Sequence, residues 1–189
     1  MSGKLKFYYG TVNSSKTMQL LSIAHNYESC NWTVCTIKPE LDSRSKLIET
    51  RAKVPPRKPD IVIKYNESLN NYSDIVNNAD VILVDECQFL SVEQINELRN
   101  LSVNRNIDIL CFGLRTDSNA HLFDASKRLF ELADELIEIK TICSVCGKAA
   151  NFNKKVNKNS EQYHMHNGAV VNISWNAFEQ RCYKHFMEE

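Results

Sequence analysis

The chain has 189 residues, 43% of them hydrophobic and 24% charged, which is an ordinary composition for a soluble globular protein with one sizeable core. Its formal net charge is +0, so bulk electrostatics gives no reason to expect nucleic-acid or anionic-membrane partners. No run of about 18 apolar residues is present, and the start lacks the apolar stretch of a signal peptide. We therefore expect a cytoplasmic protein.

Apolar runs alternate with helical patterns along the first three-quarters of the chain. We predict strands at residues 4–9, 32–38, 79–86, 107–114 and 135–140. We predict helices at residues 17–28, 91–101 and 121–134. In the second of these helices, Ser91 and Gln94 have the spacing of a capping box. Mostly apolar strands separated by helices indicate an α/β fold, with a parallel sheet covered on both faces.

Two other segments have a different character. Residues 39–60 contain all 4 prolines among charged residues, which predicts a long mobile loop. After Lys140 the sequence becomes polar and carries a cysteine cluster. We therefore predict a domain boundary near residue 141, with one domain at 1–141 and a second at 142–189.

The chain has 7 cysteines, an odd number that does not suit a disulfide framework in a reducing compartment. Four of them stand singly in apolar or mixed segments, and we expect these to be buried free thiols: Cys30, Cys35, Cys87 and Cys111.

The segment from Gly10 to Thr17 reads GTVNSSKT and lies between a predicted strand and a predicted helix. It matches the phosphate-binding pattern G-x-x-x-x-G-K-[ST], except that Ser15 replaces the second glycine. In such a loop the backbone N–H groups and the helix N-terminus bind phosphate. Lys16 would reach the outer phosphates, and the Thr17 hydroxyl would bind Mg²⁺. The alternative is an ordinary turn with an accidental Lys-Thr pair.

The apolar run at residues 79–86 ends in the acidic pair Asp85 and Glu86. If this strand lies adjacent to the first one, its terminal carboxylate lies beside the phosphate loop and can hold magnesium. Glu86 could then accept a proton from an attacking hydroxyl or water. The alternative is a solvated strand end, but the upstream Lys-Thr pair favours the magnesium site.

The C-terminal part of the sequence contains two pairs of possible metal ligands, Cys143-x-x-Cys146 and Cys182-x-x-His185. Together they supply the four nitrogen and sulfur ligands of a closed tetrahedral zinc site. Without an open coordination position, such a zinc would be structural and would stabilise a module with little core of its own. The alternative is four unrelated residues.

These features, in this order, resemble the thymidine kinases of the cellular and bacterial type (type II), with the greatest likeness to bacterial and phage members. The resemblance covers nearly the whole chain and is carried by KFYYGTVNSSKT, HNYE, VDECQFL, GLRTD, ELIEIKTIC and CYKH. VDECQFL together with GLRTD is specific to this family among P-loop proteins. The resemblance implies a P-loop (RecA-like) parallel sheet flanked by helices. A small C-terminal zinc-binding module with a lasso loop over the nucleoside would follow.

The resemblance also implies a reaction, the ATP-dependent phosphorylation of the 5′-hydroxyl of thymidine or a related deoxypyrimidine nucleoside, with Glu86 as the general base. It implies that ATP and Mg²⁺ are bound by Gly10, Asn13, Ser14, Ser15, Lys16, Thr17, Asp42, Arg44, Asp85 and Gln88. It implies nucleoside contacts from Phe89, Leu114, Asn153, Ser174 and Phe178. Family members are commonly tetramers inhibited by deoxythymidine triphosphate. We therefore expect a homotetramer, with that triphosphate as a candidate inhibitor.

Several positions depart from the family pattern: Ser15, Ser118, Ser174, Phe178 and Tyr183. Ser118 replaces an aromatic residue, whose stacking would contribute about 0.5–1.5 kcal/mol. We therefore hypothesise a pocket that accepts a different or bulkier 5-substituted pyrimidine. Ser15 adds a Cβ to the loop, and a strained backbone there would cost roughly 1–3 kcal/mol, enough to weaken ATP binding without removing the chemistry.

The sequence leaves two other functions open. A catalytically silent relative that acts as a sensor or structural subunit would explain the altered loop, but the retained catalytic residues oppose it. A P-loop ATPase with a zinc ribbon for nucleic acid is disfavoured, because FNKKVNK is the only basic run and no aromatic residues are interleaved with a basic stripe.

Overall fold

The structure is a computed structural model that describes residues 3–52, 54–156, 163–164, 170–171 and 177–188. The strands are β1 (Leu5–Gly10), β2 (Val34–Pro39), β3 (Ile61–Ile63), β4 (Val81–Val84), β5 (Asp108–Leu114), β6 (Glu135–Glu138), β7 (Phe152–Lys155), β8 (Tyr163–His164), β9 (Val170–Val171) and β10 (Phe178–Arg181). The helices are α1 (Lys16–Ser29), α2 (Ser73–Val76), α3 (Val92–Arg105), α4 (Asp124–Leu132) and α5 (Tyr183–Met187). Short 3-10 helices lie at Leu69–Tyr72 and Cys87–Phe89.

Six strands form one sheet in the order β3-β2-β4-β5-β1-β6, and all of its pairs are parallel. The four residues of β4 are fully buried. A short strand that is apolar throughout is typical of a sheet covered on both faces. The predicted α/β fold with a parallel sheet is therefore confirmed.

The two largest hydrophobic clusters among the described residues form two layers, one on each face of this sheet. In one layer, Leu98 of α3 and Leu129 of α4 belong to the same buried cluster as Ile82 of β4. In the other, Leu20 of α1 packs in a cluster with Leu83 of β4. Helix α1 therefore covers one face, and helices α3 and α4 cover the other.

The strand that ends before Asp85 was expected to lie adjacent to the first strand, and this expectation is wrong. Strand β5 pairs with both β4 and β1 and lies between them. The carboxyl ends of β4 and β1 still meet at the same edge of the sheet, because all three strands are parallel. Thr17, at the start of α1, lies within 3.2 Å of the Asp85 carboxylate.

The segment at residues 39–60 was predicted as a loop. Its first residue, Pro39, ends β2, and the other described residues of the segment form no helix or strand, but the segment is anchored to the sheet. Ile48 is fully buried and exchanges two backbone hydrogen bonds with Arg57. The edge strand β3 that follows was missed, because three residues give too short an alternation to be recognised. In this strand Ile61 and Ile63 are buried, whereas Val62 is exposed.

Three of the four cysteines expected to be buried are buried, namely Cys35, Cys87 and Cys111. Cys30 is exposed, so that expectation is wrong. It occupies the C-terminal cap of α1, where the helix ends at the protein surface. An apolar or mixed sequence neighbourhood does not distinguish a helix end from a buried helix face.

After residue 141 the described strands leave the parallel sheet and pair with one another. Strand β7 pairs antiparallel with β10, and β8 pairs antiparallel with β9. Among the residues that the structure describes, no helix has the length and apolar character needed to cross a membrane.

The predicted capping box of α3 is present. The Ser91 hydroxyl accepts a hydrogen bond from the Gln94 N–H at 3.2 Å, and the Ser91 N–H donates to the Gln94 side chain at 2.9 Å. Ser91→Ala should lower the free energy of unfolding by about 1 kcal/mol, because one N–H at the helix start loses its partner. Urea denaturation measures this change.

Asn100→Ala is the control, because Asn100 is exposed in the same helix. It should change the free energy of unfolding by no more than about 0.5 kcal/mol. Equal effects of the two substitutions would contradict a capping role for Ser91.

Candidate active site

The loop between β1 and α1 is closely packed at its first residue. A Cβ on Gly10 would lie 2.5 Å from Ser14 Oγ and 2.7 Å from the Ile139 carbonyl oxygen. No side chain fits at such distances, so the close approach of the loop start to the backbone after β6 requires glycine here. This fixes where the loop leaves the sheet.

The rest of the loop has a left-handed backbone at two residues that are not glycine. Asn13 has φ 61° and Ser15 has φ 65°. Ser15 occupies the N-cap position of α1, but its side chain makes no capping hydrogen bond. The strain expected from the sequence at Ser15 is therefore present, since a residue with a Cβ pays about 1–2 kcal/mol for this conformation.

Lys16 lies folded back on the loop. Its Nζ donates to the Thr11 carbonyl oxygen at 2.7 Å and to Ser14 Oγ at 3.3 Å. Burial lowers the pKa of Lys16, although the nearby carboxylates of Glu86 and Asp85 oppose this shift. A buried ammonium group between a phosphate-binding loop and two acids is suited to bind an anion.

Thr17 and Asp85 form a pair of oxygen ligands at the carboxyl edge of the sheet. The Thr17 hydroxyl donates to the two carboxylate oxygens of Asp85 at 3.2 and 3.4 Å. Burial and the neighbouring charge of Glu86 raise the pKa of Asp85. Hydroxyl and carboxylate oxygens are the ligands that Mg²⁺ prefers, and a cation would favour the ionised form of this carboxylate. The donor set therefore fits magnesium.

Glu86 is held by two side chains. One carboxylate oxygen accepts a hydrogen bond from Arg44 Nη2, and the other accepts one from Gln88 Nε2 at 2.5 Å. Burial alone would raise the pKa of Glu86, but the positive charges of Arg44 and Lys16 hold it well below its usual range. Glu86 is therefore ionised at neutral pH and can accept a hydrogen bond from a hydroxyl group.

Arg44 is positioned by a second, buried ion pair. Its Nε donates to Asp42 Oδ1 at 2.5 Å, and the other oxygen of Asp42 lies 3.0 Å from Lys38 Nζ. Lys38 also donates to the Ser45 and Leu47 carbonyl oxygens, at 2.6 and 3.0 Å. Lys38 was missed in the sequence, where it is the last residue of a predicted strand and its one charged residue.

A cavity of about 460 Å³ joins these groups to an apolar end. From the residues expected to bind ATP, magnesium or the nucleoside, or to act as base, the following line it: Asn13, Ser14, Ser15, Lys16, Thr17, Asp42, Arg44, Asp85, Glu86, Gln88, Phe89, Leu114 and Phe178. Gly10 and Asn153 do not line this cavity, and Ser174 lies outside the described residues.

Phe89 and Leu114 line the apolar end of the cavity and belong to a small apolar cluster. Phe89 meets Phe123 edge to face, with 6.2 Å between the ring centroids. Leu41 and Leu114 pack against this pair. Gln88 connects this end to the acidic one, because its Oε1 accepts a hydrogen bond from the Leu114 N–H at 2.9 Å.

The four predicted metal ligands Cys143, Cys146, Cys182 and His185 come together, with all ligand atoms within 4.8 Å of one another. The Sγ atoms of Cys146 and Cys182 are 3.8 Å apart. His185 Nδ1 lies 3.4 Å from the Cys143 sulfur and 3.3 Å from the Cys182 sulfur. Zn–S bonds of about 2.3 Å place two thiolates of a tetrahedral site about 3.8 Å apart, so the cluster fits zinc.

The surroundings of the Cys143 sulfur favour the thiolate form, which binds metals. Burial would raise its pKa, but backbone N–H groups, among them those of Cys182 and Val145, and the His185 side chain lower it. A lower pKa increases the thiolate fraction at neutral pH, and the thiolate is the form that binds a metal.

Cys146→Ser should remove one metal ligand and weaken zinc binding at least roughly tenfold, as even the loss of groups that only orient ligands costs 10–100-fold. Zinc per chain, measured by elemental analysis after dialysis against a weak chelator, should fall together with the melting temperature.

Cys30→Ser is the matched control, because Cys30 is also exposed and lies far from the cluster in sequence. It should retain the zinc content of the unmodified protein. Equal zinc contents in the two variants would contradict a metal site at this cluster.

Residues 3–186 match the family model described as thymidine kinase. The thymidine kinase of Streptococcus agalactiae is 31% identical over 185 residues, which are 97% of this chain and 96% of the relative. The thymidine kinase of Chromobacterium violaceum is 35% identical over 188 residues, 96% of this chain and 98% of the relative.

Among solved structures, a DNA replication initiation factor matches with a TM-score of 0.44 and 17% identity, over 72% of this chain and 40% of that one. AMPPCP-bound DnaA from Aquifex aeolicus matches with a TM-score of 0.44 and 21% identity, over 74% of this chain and 41% of that one. This chain thus spans about two-fifths of either structure. It is the match along nearly the whole length of the sequence that decides the assignment: the chain belongs to the thymidine kinase family.

Proposed function

We propose that this protein transfers the γ-phosphoryl group of ATP to the 5′-hydroxyl of thymidine or a related deoxypyrimidine nucleoside. The observation that carries the proposal is a single cavity lined by the phosphate loop, by the acidic pair Asp85 and Glu86, and by the apolar residues Phe89 and Leu114. A nucleotide and a nucleoside in this cavity would meet at the acidic pair. Membership of the thymidine kinase family supports this choice of substrates.

ATP would be bound at the loop end of the cavity. Its phosphates would contact Lys16 and the loop N–H groups, and Mg²⁺ would be held by Thr17 and Asp85. The metal ion, when bound, neutralises charge on the phosphates. Arg44 would add a positive charge to the wall of the cavity, and Asp42, itself paired with Lys38, would fix its guanidinium group.

Glu86 would act as the general base for the 5′-hydroxyl. A carboxylate with a lowered pKa is a weak base, but phosphoryl transfer through a loose transition state demands little proton abstraction before bond cleavage. The main task of Glu86 would then be to orient the hydroxyl group. Since its two carboxylate oxygens already accept hydrogen bonds from Arg44 and Gln88, the hydroxyl would have to donate to one of these same oxygens. The proton would pass to Glu86 as the new phosphate ester forms.

The nucleoside would lie at the apolar end, against Phe89, Leu114 and Phe178. Ser118 is half-buried and offers no ring for stacking. We therefore also propose that the pocket accepts a different or bulkier 5-substituted pyrimidine. Asn153 and Ser174 were further candidates from the sequence.

The C-terminal part, residues 142–189, is proposed as a separate zinc-binding domain whose metal is structural. Four protein ligands leave no open position for chemistry on the metal. We also propose a homotetramer in the cytoplasm, where the free thiols Cys35, Cys87 and Cys111 would stay reduced. Inhibition by deoxythymidine triphosphate is proposed on the family resemblance.

Steady-state assays with ATP, Mg²⁺ and a panel of thymidine, deoxyuridine and 5-substituted deoxyuridines test the reaction. Transfer to at least one of them is expected. Glu86→Gln should lower kcat by roughly 100-fold or more, because the carboxylate that orients and deprotonates the hydroxyl is lost. Nucleoside affinity, measured by calorimetry, should change less than about threefold, since the amide keeps the size of the side chain.

Glu93→Gln, at an exposed glutamate of α3, is the control and should leave both quantities unchanged. No transfer to any nucleoside by the unmodified protein would support the catalytically silent relative. Equal losses of binding and turnover in Glu86→Gln would argue against its role as base.

Ser15→Gly should raise the free energy of unfolding by up to about 1 kcal/mol, because glycine adopts the left-handed backbone without strain. The KM for ATP should also fall, but by no more than about threefold, because the strained conformation is already present without ATP and much of its cost cancels on binding. Urea denaturation and ATP titrations measure the two effects.

Asn31→Gly provides the matched control, since Asn31 has φ 63° in an exposed turn after α1. It should alter stability without altering the KM for ATP. A higher KM for ATP in Ser15→Gly would mean that the surrounding loop is adapted to serine.

A further inference from the structure

The phosphate loop has no glycine after Gly10, yet Asn13 and Ser15 have left-handed backbones. A residue with a Cβ reaches that region at a cost of about 1–2 kcal/mol. Such conformations persist where surrounding structure determines them. The groups that hold the loop in place should therefore be identifiable among its contacts.

One contact reaches the loop from β7. The Val12 N–H donates to Asn153 Oδ1 at 2.8 Å, and Asn153 Nδ2 donates to the Thr116 carbonyl oxygen at 2.8 Å. Asn153 is only 3% exposed. Its amide therefore uses both of its ends inside the protein, and it ties the phosphate loop to the segment that follows β5.

A second contact reaches the loop from β10. Asn13 Nδ2 donates to Gln180 Oε1 at 2.8 Å. Gln180 stands directly opposite Asn153 in the antiparallel β7–β10 pair. Opposite residues of such a pair project from the same face. One face of this two-stranded sheet thus offers two side-chain amides to two consecutive residues of the loop.

Strands β7 and β10 are held in place by backbone hydrogen bonds close to the cysteine–histidine cluster in sequence. The Ser144 N–H donates to the Gln180 carbonyl oxygen at 3.1 Å, and the Asn151 N–H donates to the Arg181 carbonyl oxygen at 3.1 Å. Cys182 follows β10 directly. Asn153 and Gln180 therefore lie on strands whose backbone is held in place by further hydrogen bonds.

We propose that Asn153 and Gln180 are positioning residues of the phosphate loop, which keep Val12 and Asn13 in the arrangement that binds the phosphates of ATP. The proposal rests on the proposed function in taking ATP as the ligand of the loop. It gives Asn153 a role different from the nucleoside contact expected from the sequence, because both ends of its amide are already bonded. It also explains how the loop tolerates serine where the motif has glycine.

Binding is measured by calorimetry with Mg²⁺ and a non-hydrolysable ATP analogue, without nucleoside. Gln180→Ala should weaken binding about fivefold, as expected for one hydrogen bond that holds the loop, and Asn153→Ala should weaken it about tenfold or more. Affinity for thymidine, measured separately, should change less than about twofold. If the two residues had a merely structural role, their substitution would weaken the binding of the ATP analogue and of thymidine to a similar extent.

Lys154→Ala is the matched control, because Lys154 lies next to Asn153 in β7 and its side chain projects from the opposite face. It should leave the affinity for the ATP analogue unchanged within about twofold. Since Asn153→Ala buries an unpaired N–H and can fail to fold, Gln180→Ala, whose side chain is partly exposed, carries the test alone if that happens.

A double substitution links the two amides to the strain in the loop. In a Ser15→Gly background, Gln180→Ala should cost less affinity for the ATP analogue than it does with Ser15, because glycine keeps the left-handed backbone without outside support. Equal losses in the two backgrounds would overturn the proposal, and so would unchanged binding in folded Gln180→Ala. Analogue binding that depends on Gln180 without phosphoryl transfer would refute the proposed function alone.

Discussion

Two adjacent carboxylates, the buried Asp85 and the partly buried Glu86, determine most of what surrounds them. Burying an unpaired carboxylate costs several kcal/mol, so each of them requires a cation or hydrogen-bond donors nearby. Glu86 is matched by Arg44, which the connection after β2 carries across the edge of the sheet. That connection is in turn fastened by Lys38, through Asp42 and two carbonyl oxygens. The shape of an otherwise irregular segment thus follows from the charge of one strand end.

The same strand end also couples the two halves of the cavity. Gln88 donates to Glu86 through its amide nitrogen and accepts from the Leu114 N–H through its amide oxygen. Gly113 makes this possible, because a Cβ there would lie 2.6 Å from the Gln88 side chain. Gln88 therefore connects the apolar end of the cavity to the carboxylate through two hydrogen bonds.

The sequence predicted the fold well where patterns are long, and poorly where they are short or distant. The alternation of apolar strands and helices predicted the parallel sheet, and the capping box predicted the start of α3. The ligand spacing predicted that Cys143, Cys146, Cys182 and His185 come together. The sequence did not predict that β5 separates β4 from β1, because strand order depends on crossovers that leave no local signal. It also missed Lys38 and the contact between Asn13 and Gln180, since partners separated by 167 positions share no motif.

The left-handed serine changes what the phosphate-loop motif means in this protein. Where glycine supplies the backbone freedom, the loop encodes its own shape and could be transplanted into another scaffold. Here the left-handed backbone of Asn13 and Ser15 coexists with contacts from strands more than a hundred residues later. The eight residues from Gly10 to Thr17 should therefore not keep this shape when moved alone into another protein. A sequence pattern that requires the second glycine would also overlook such loops.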